Sequence, residues 1–434
     1  MIHQPIGGDS MKKMFSFLMI FFLISLLFFN CGKKKDNHIT ILMWGQPEEV
    51  KAVDNFIEKF NQIYPDIEVE RLHVSEYYNK LQTMIAAGTP PDVMYMGSEY
   101  FPTYAIKGAL MDLTPYLVND PDTKTEKFQL NNYFKEVMDP FKHEGKYYGI
   151  AKDFTTMVLY YNKDLFDREG LKYPDKNWTW EDLKRTAIAL TKKNSGGITE
   201  QFGFLFESWV GYWVSWIRQN GGEIFDEKSK QYVIGKEPYL SKNVETLQFI
   251  YDMMYKYHAC PTIEESQDLG ASRLMETGKV AMVTYGRWRV LELKNVKTFK
   301  WDCAILPKEK TRASTLFTVC YSIAKDSKNK LAAWKLLKFL VGKEGQVNTA
   351  ESCLAIPSLK SVAYSEHFFK PKDLALQINA VAYLEQLPYS KPMPAHEKAQ
   401  EFNDLIKRYL DEIFISKKPV RETLVELQKE IDSM

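Results

Sequence analysis

Between Ile39 and Met96 the chain alternates two hydrophobic periods, and that alternation narrows the fold more than any other feature. Ile39-Thr40-Ile41-Leu42-Met43-Trp44 is a mostly apolar strand pattern stopped by Gly45. Apolar Val50, Val53, Phe56, Ile57 and Phe60 follow at helical spacing, a single buried stripe that Pro65 ends. Ile67-Glu68-Val69-Glu70 alternates as a second strand, and Tyr77 to Ala87 reads as a helix closed by Gly88-Thr89-Pro90-Pro91. Asp92-Val93-Met94-Tyr95-Met96 is the third strand. Strands that alternate with helices imply right-handed crossovers and a parallel sheet. Ligands of such sheets gather at the carboxyl ends of the strands, which places Trp44, Gly45, Gln46, Met96, Glu99 and Tyr100 on the rim of a candidate site.

The rest of the chain continues in the same class. Gly149 to Tyr161 is extended, and Trp180 to Thr191, Val244 to Tyr257, Leu331 to Val341, Phe402 to Phe414 and Val420 to Ile431 are helical patterns. The 434 residues suffice for two or three domains at roughly 150 residues each. With 57 basic and 56 acidic residues the chain lacks the cationic excess of a general nucleic-acid binder.

The N-terminus has its own pattern. Lys12 and Lys13 precede Met14 to Phe29, a run apolar except at Ser16 and Ser25 and, as a helix, about 24 Å long. That is shorter than a bilayer's ~30 Å core, and a basic flank with a short apolar run is the signal-peptide pattern. Met11 opens it better than Met1; an uncleaved membrane anchor is the alternative. Leu27-Phe28-Phe29-Asn30-Cys31-Gly32 resembles a bacterial lipobox, although Phe29 and Asn30 stand where small residues are usual. The resemblance implies a signal peptide over 1–30, an acylated Cys31 holding the protein on a membrane, and a tether over 31–37.

Enzyme signatures are missing. The chain has no G-x-x-x-x-G-K-[ST], H-E-x-x-H, G-x-S-x-G or G-x-G-x-x-G. Its seven histidines are scattered, so neither a metal site nor a catalytic residue is expected. Glu48/Glu49 and Glu264/Glu265 read as solvated faces. Cys260, Cys303, Cys320 and Cys353 could form two disulfides in an oxidising compartment or stay as buried thiols, the reading their apolar surroundings favour.

Several strings then resemble the family 1 extracellular solute-binding proteins of bacterial ABC importers, the maltose- and oligosaccharide-binding type. Gly149-Ile150-Ala151-Lys152-Asp153-Phe154 followed by Leu159-Tyr160-Tyr161-Asn162-Lys163 is similar to the family's hinge strand and Tyr-Asn-Lys turn. Trp178-Thr179-Trp180-Glu181-Asp182-Leu183 resembles its helix start, with Thr179 as N-cap and Asp182 closing a capping box. Asn220-Gly221-Gly222, Gly278 to Trp288, Ala332 to Gln346 and Ile356-Pro357-Ser358 follow in the family's order. The resemblance implies two α/β lobes joined by a hinge: 38–152 with 304–341, and 153–303 with 342–434. It further implies a monomeric, non-enzymatic receptor that captures a di- or oligosaccharide without a cofactor and hands it to permease subunits driven by an ATPase. Glycerol phosphate, a polyamine or a chemosensory role would fit the same fold.

Sugars present apolar C–H faces and hydroxyl rims, so aromatics and carboxylates are the residues to seek. By the resemblance Trp288 is the first stacking platform; Glu99 and Tyr100 form the polar loop after the third strand, and Asp153 and Thr155 bind hydroxyls at the hinge. Trp44, Gln46, Trp209, Trp213, Glu223, Tyr285 and Arg287 are further candidates, Arg287 for an acidic sugar or phosphate. Trp209, Trp213 and Trp216 share a helical spacing that more often marks packing.

Overall fold

The computed structural model describes residues 37–434 other than 126, 127 and 373, so the signal-peptide pattern, Cys31 and most of the tether lie outside the described residues. The alternating N-terminal segment forms strands His38–Met43, Glu68–His73 and Val93–Gly97, with helices Pro47–Ile63 and Tyr77–Ala86 between them. The three strands pair in parallel, with His38–Met43 in the middle. Two long strands from later in the chain, Ile150–Thr156 and Ser314–Ile323, complete this sheet in the antiparallel sense. Ile356–Pro357 and Ser390–Pro392 add short edges.

A second sheet has the order Trp301–Ala304, Val158–Asn162, Val280–Tyr285, Thr199–Leu205, Lys192–Lys193. Only Val280–Tyr285 and Thr199–Leu205 run parallel. Both sheets are therefore mixed rather than purely parallel, because the strands that pass between lobes enter against the local direction.

The lobes part at Met157, between Thr156 of the first sheet and Val158 of the second, a few residues beyond the expected crossing at Lys152–Asp153. The return crosses between Ala304 and Ser314. A third passage leads from Ser390–Pro392 to helix Ala399–Phe414, which packs on the second lobe through Trp213 against Phe414, ring centroids 4.4 Å apart. Ile356–Pro357, which the sequence reading groups with the second lobe, pairs with Asp153 and Phe154 in the first sheet. Helix Val381–Gln386 covers the hinge: Thr156 Oγ1 donates to Tyr383 O at 2.8 Å, and the Tyr160 and Tyr383 hydroxyls meet at 2.5 Å.

Local signals hold the junctions. Asn162 ends its strand and caps helix Lys163–Arg168, its Oδ1 accepting from Leu165 N at 3.2 Å. Thr179 and Asp182 form the capping box of helix Trp180–Leu190. Gly221 ends helix Val210–Gln219 at φ +74°, a backbone state that a side chain disfavours. Cys260, Cys303, Cys320 and Cys353 are buried and form no disulfide among the described residues.

Candidate functional site

The carboxyl ends of the parallel strands in both lobes converge on the crossing strands. From the first lobe come Trp44, just past His38–Met43, and Glu99 and Tyr100, just past Val93–Gly97. Trp44 packs edge-on against Tyr77 and Tyr95 at 4.7 and 5.2 Å, and Tyr78 lies 4.0 Å from Tyr100. From the second lobe come Glu207 and Trp209 beyond Thr199–Leu205, and Trp288 beyond Val280–Tyr285. Trp209 stacks on Phe317 at 4.7 Å, and Trp288 meets the same ring edge-on at 5.8 Å. Phe317 pairs with Thr155, and two residues along Val319 pairs with Asp153, so the crossing strands form the floor between two aromatic groups.

The carboxylates sit among these rings. Asp153 contacts Lys152 through Oδ2, and Lys152 Nζ also lies 3.3 Å from Glu49 Oε1. Burial pushes the Glu49 carboxyl above its ordinary range, and Lys152 only partly offsets that. Glu99 is half-buried, and burial raises it as well. Glu207 accepts from Tyr285 OH at 2.6 Å; burial raises its carboxyl against the pull of Tyr285 and Arg289. Burial pushes Tyr100 up to about 12, so its hydroxyl stays a donor at neutral pH.

The first lobe also meets the segment around helix Ala399–Phe414. Thr103 Oγ1 donates to Glu397 O at 2.8 Å, and Tyr100 bonds Asn403. A pocket of about 240 Å³ opens there, lined by Tyr78, Tyr100 and Tyr104 on one side and Glu401 and Asp404 on the other. Among the described residues no group satisfies the buried Tyr104 hydroxyl. A buried hydroxyl without a partner is costly, and it points to a polar occupant.

Several sequence candidates belong elsewhere. Glu223 is taken up by Arg218, whose Nε donates to both carboxylate oxygens at 3.2 and 3.1 Å and whose Nη1 reaches Lys391 O and Pro392 O. Arg287 is fully buried at the hinge, its guanidinium 4.2 Å from the Phe368 ring and 5.3 Å from Tyr383. Its Nη2 donates to Phe368 O at 3.3 Å. Thr155 accepts from Arg287 N at 2.8 Å and donates to Thr156 O, so its hydroxyl is occupied. Trp213 is core, as are Trp216 and Met96, while Tyr285 reaches the site only through its hydroxyl. Gln46 is exposed at the start of helix Pro47–Ile63.

Glu49, Tyr78, Glu207 and Phe317 are residues the sequence reading missed. Adjacency in sequence groups Glu49 with Glu48 as solvated, yet helical neighbours point about 100° apart, and Glu48 is exposed where Glu49 is buried. Recognising Thr199–Leu205 as a strand would have flagged Glu207 by the carboxyl-end rule. Among the described residues no cluster of three or more histidine, cysteine or acidic side chains could hold a metal ion, and no helix is long and apolar enough to cross a membrane.

Two lobes, a hinge of crossing strands and a cleft lined from both sides define a hinged solute-binding protein. The family model described as bacterial extracellular solute-binding protein matches residues 44–347, and the chain belongs to that family. It is similar to the galactooligosaccharide-binding protein of Bacillus subtilis (strain 168), 25% identical over 401 residues and covering 88% of each chain. An ABC substrate-binding protein from Listeria monocytogenes, solved in complex with cycloalternan, superposes with a TM-score of 0.81 at 27% identity, covering 92% of this chain and 98% of that one. Maltose-bound MalE3 of T. maritima shares the fold with a TM-score of 0.77 at 24% identity, covering 91% of this chain and 99% of that one.

Proposed function

We propose that this protein captures a neutral di- or oligosaccharide between its lobes and delivers it to an ABC importer, without catalysing a reaction. The observation that carries this reading is that both lobes bring aromatic rings and carboxyls to their strand ends: Trp44 and Glu99 in the first, Trp209, Trp288 and Glu207 in the second. Sugar C–H faces cover the rings while hydroxyls donate to the carboxylates, and a ligand touching both lobes favours closure by its differential contacts. Export follows from the family; anchoring through an acylated Cys31, with two permease subunits and an ATPase as partners and a monomeric receptor, completes the proposal.

A second reading has one observation in its favour. Glu49, Asp153, Glu99 and Glu207 outnumber Lys152, so a polyamine would find opposite charge. A phosphorylated polyol would not, since Arg287 is stacked at the hinge. Thermal denaturation of residues 32–434 with neutral oligosaccharides, spermidine and glycerol phosphate separates the three. A ligand at 100 times its Kd adds about 2.7 kcal/mol of stability. A shift with an oligosaccharide that Trp288→Ala abolishes supports the proposal, and a shift with spermidine alone overturns it.

A further inference from the structure

The register of the two crossing strands slips at one point. Val319 pairs with Asp153 and Cys320 pairs with Ala151, so Lys152 is an extra residue, a β-bulge inside the hinge strand. In a regular strand Lys152 and Asp153 would point to opposite faces. At the bulge they lie on one side, and the Lys152 ammonium contacts the Asp153 carboxylate directly. Lys152 is almost fully buried, with Glu49 at 3.3 Å from the helix Pro47–Ile63 and the Tyr95 ring at 4.7 Å from the strand Val93–Gly97. Tyr321 of Ser314–Ile323 faces the same group, and Gln346 fixes the Lys152 carbonyl at 2.6 Å. Burial alone would lower the Lys152 ammonium; the two carboxylates outweigh it and hold it above its ordinary value.

We propose that Lys152 is a positioning residue for ligand capture: by holding Oδ2 of Asp153 it turns the second oxygen, Oδ1, to accept a ligand hydroxyl. This rests on the reading of the cleft as a sugar site. Among the described residues no donor reaches Asp153 Oδ1, whereas Oδ2 is engaged by Lys152. One ammonium between two carboxylates leaves a net charge of −1 at the floor of the cleft. Without Lys152, the Glu49 carboxyl, already raised by burial, would lose the cation that pulls it down and keep the neighbouring Asp153 that pushes it up. Glu49 would then hold its proton to higher pH and become a donor beside Asp153, and the hydrogen-bonding pattern at the floor would change with pH. The net negative floor also disfavours uronates and sugar phosphates relative to neutral sugars.

The test measures affinity for a neutral oligosaccharide, and for its uronate counterpart, from pH 5 to pH 8.5. It compares the parent chain, Lys152→Met and the charge-balanced Glu49→Gln/Lys152→Met, with melting temperatures recorded without ligand over the same range. The parent is expected to bind the neutral sugar with little pH dependence and the uronate at least tenfold more weakly. Lys152→Met should weaken binding at least tenfold at pH 8 and recover part of it towards pH 5, where a proton replaces the lost charge. Its melting temperature should fall as pH rises. The double variant should restore a flat profile in both measurements, and it serves alone if Lys152→Met does not fold. A Lys152→Met profile parallel to the parent's, or a double variant as pH-dependent as the single one, would show that Lys152 only packs. A parent that binds the uronate as well as the neutral sugar also overturns the proposal. A parent that binds no sugar removes the cleft reading itself, while the ligand-free melting profiles still decide the charge role of Lys152.

Discussion

Trp209 and Trp216 are seven residues apart, and their surroundings differ. Trp216 is fully buried beside Trp180, Phe204 and Phe206, so truncating it to alanine opens a core cavity and should cost about 3–5 kcal/mol. Trp209 precedes its helix and is 43% exposed, stacked on Phe317 with one face free. A tryptophan covers 150–250 Å² when fully buried. Somewhat over half of that, at about 25 cal/mol per Å², sets an upper bound of ~3.5 kcal/mol for the loss of stability in Trp209→Ala. Its free face, covered by a sugar ring, removes roughly 80 Å² more apolar surface, worth ~2 kcal/mol or about thirtyfold in Kd. Urea unfolding and calorimetric titration on both variants separate these effects. Trp216→Ala should lose more stability and, where it remains folded, keep its affinity to within a few-fold; Trp209→Ala should lose less stability and about thirtyfold in affinity. Equal affinities for Trp209→Ala and the parent would refute the stacking argument, whatever happens to stability.

Other expectations follow from single contacts. Gly45 has φ +143°, and a methyl there would come within 2.5–2.9 Å of the Glu49 carboxylate, so Gly45→Ala should lose about 1–3 kcal/mol in urea unfolding and also weaken binding by displacing Glu49. Thr179→Ala removes the capping box of Trp180–Leu190 far from the cleft and should cost about 1 kcal/mol with affinity unchanged. Glu99 is raised by burial, so the folded state holds its proton more tightly than the unfolded chain and its contribution declines as pH rises from about 4.5. Glu99→Gln should therefore be more stable than the parent at pH 7, with the gap closing towards pH 4, while its affinity falls; a gap that widens on acidification would contradict the assignment.

The parts of this molecule set by neighbours in sequence were legible in advance. Strands and helices from His38 to Gly97, the Asn162 cap and the Thr179–Asp182 box all lie where local patterns put them, because periodicity and capping need only a few adjacent residues. Trp288, expected from the family resemblance, lies just beyond strand Val280–Tyr285. What escaped depends on partners distant in the chain. Phe317 reaches the cleft only because Ser314–Ile323 pairs with Ile150–Thr156, more than 150 residues earlier. Arg287 and Trp288 are adjacent, and only the geometry of the turn decides that Arg287 is buried at the hinge while Trp288 meets Phe317. Glu223 was plausible as a free carboxylate until Arg218 claimed it, with Lys391 and Pro392 completing that contact. The bulge at Lys152 left no local signature, since it exists only as a mismatch between two strands.

The central claim is that the cleft binds a neutral oligosaccharide through aromatic faces and carboxylates contributed by both lobes. Its most direct test is calorimetric titration of residues 32–434 with neutral di- and trisaccharides, run in parallel on the parent, Asp153→Asn and Trp288→Ala. Saturable one-to-one binding of at least one sugar by the parent, weakened tenfold or more in each variant, is the predicted result. No binding of any neutral sugar, or binding that both variants retain in full, would contradict it.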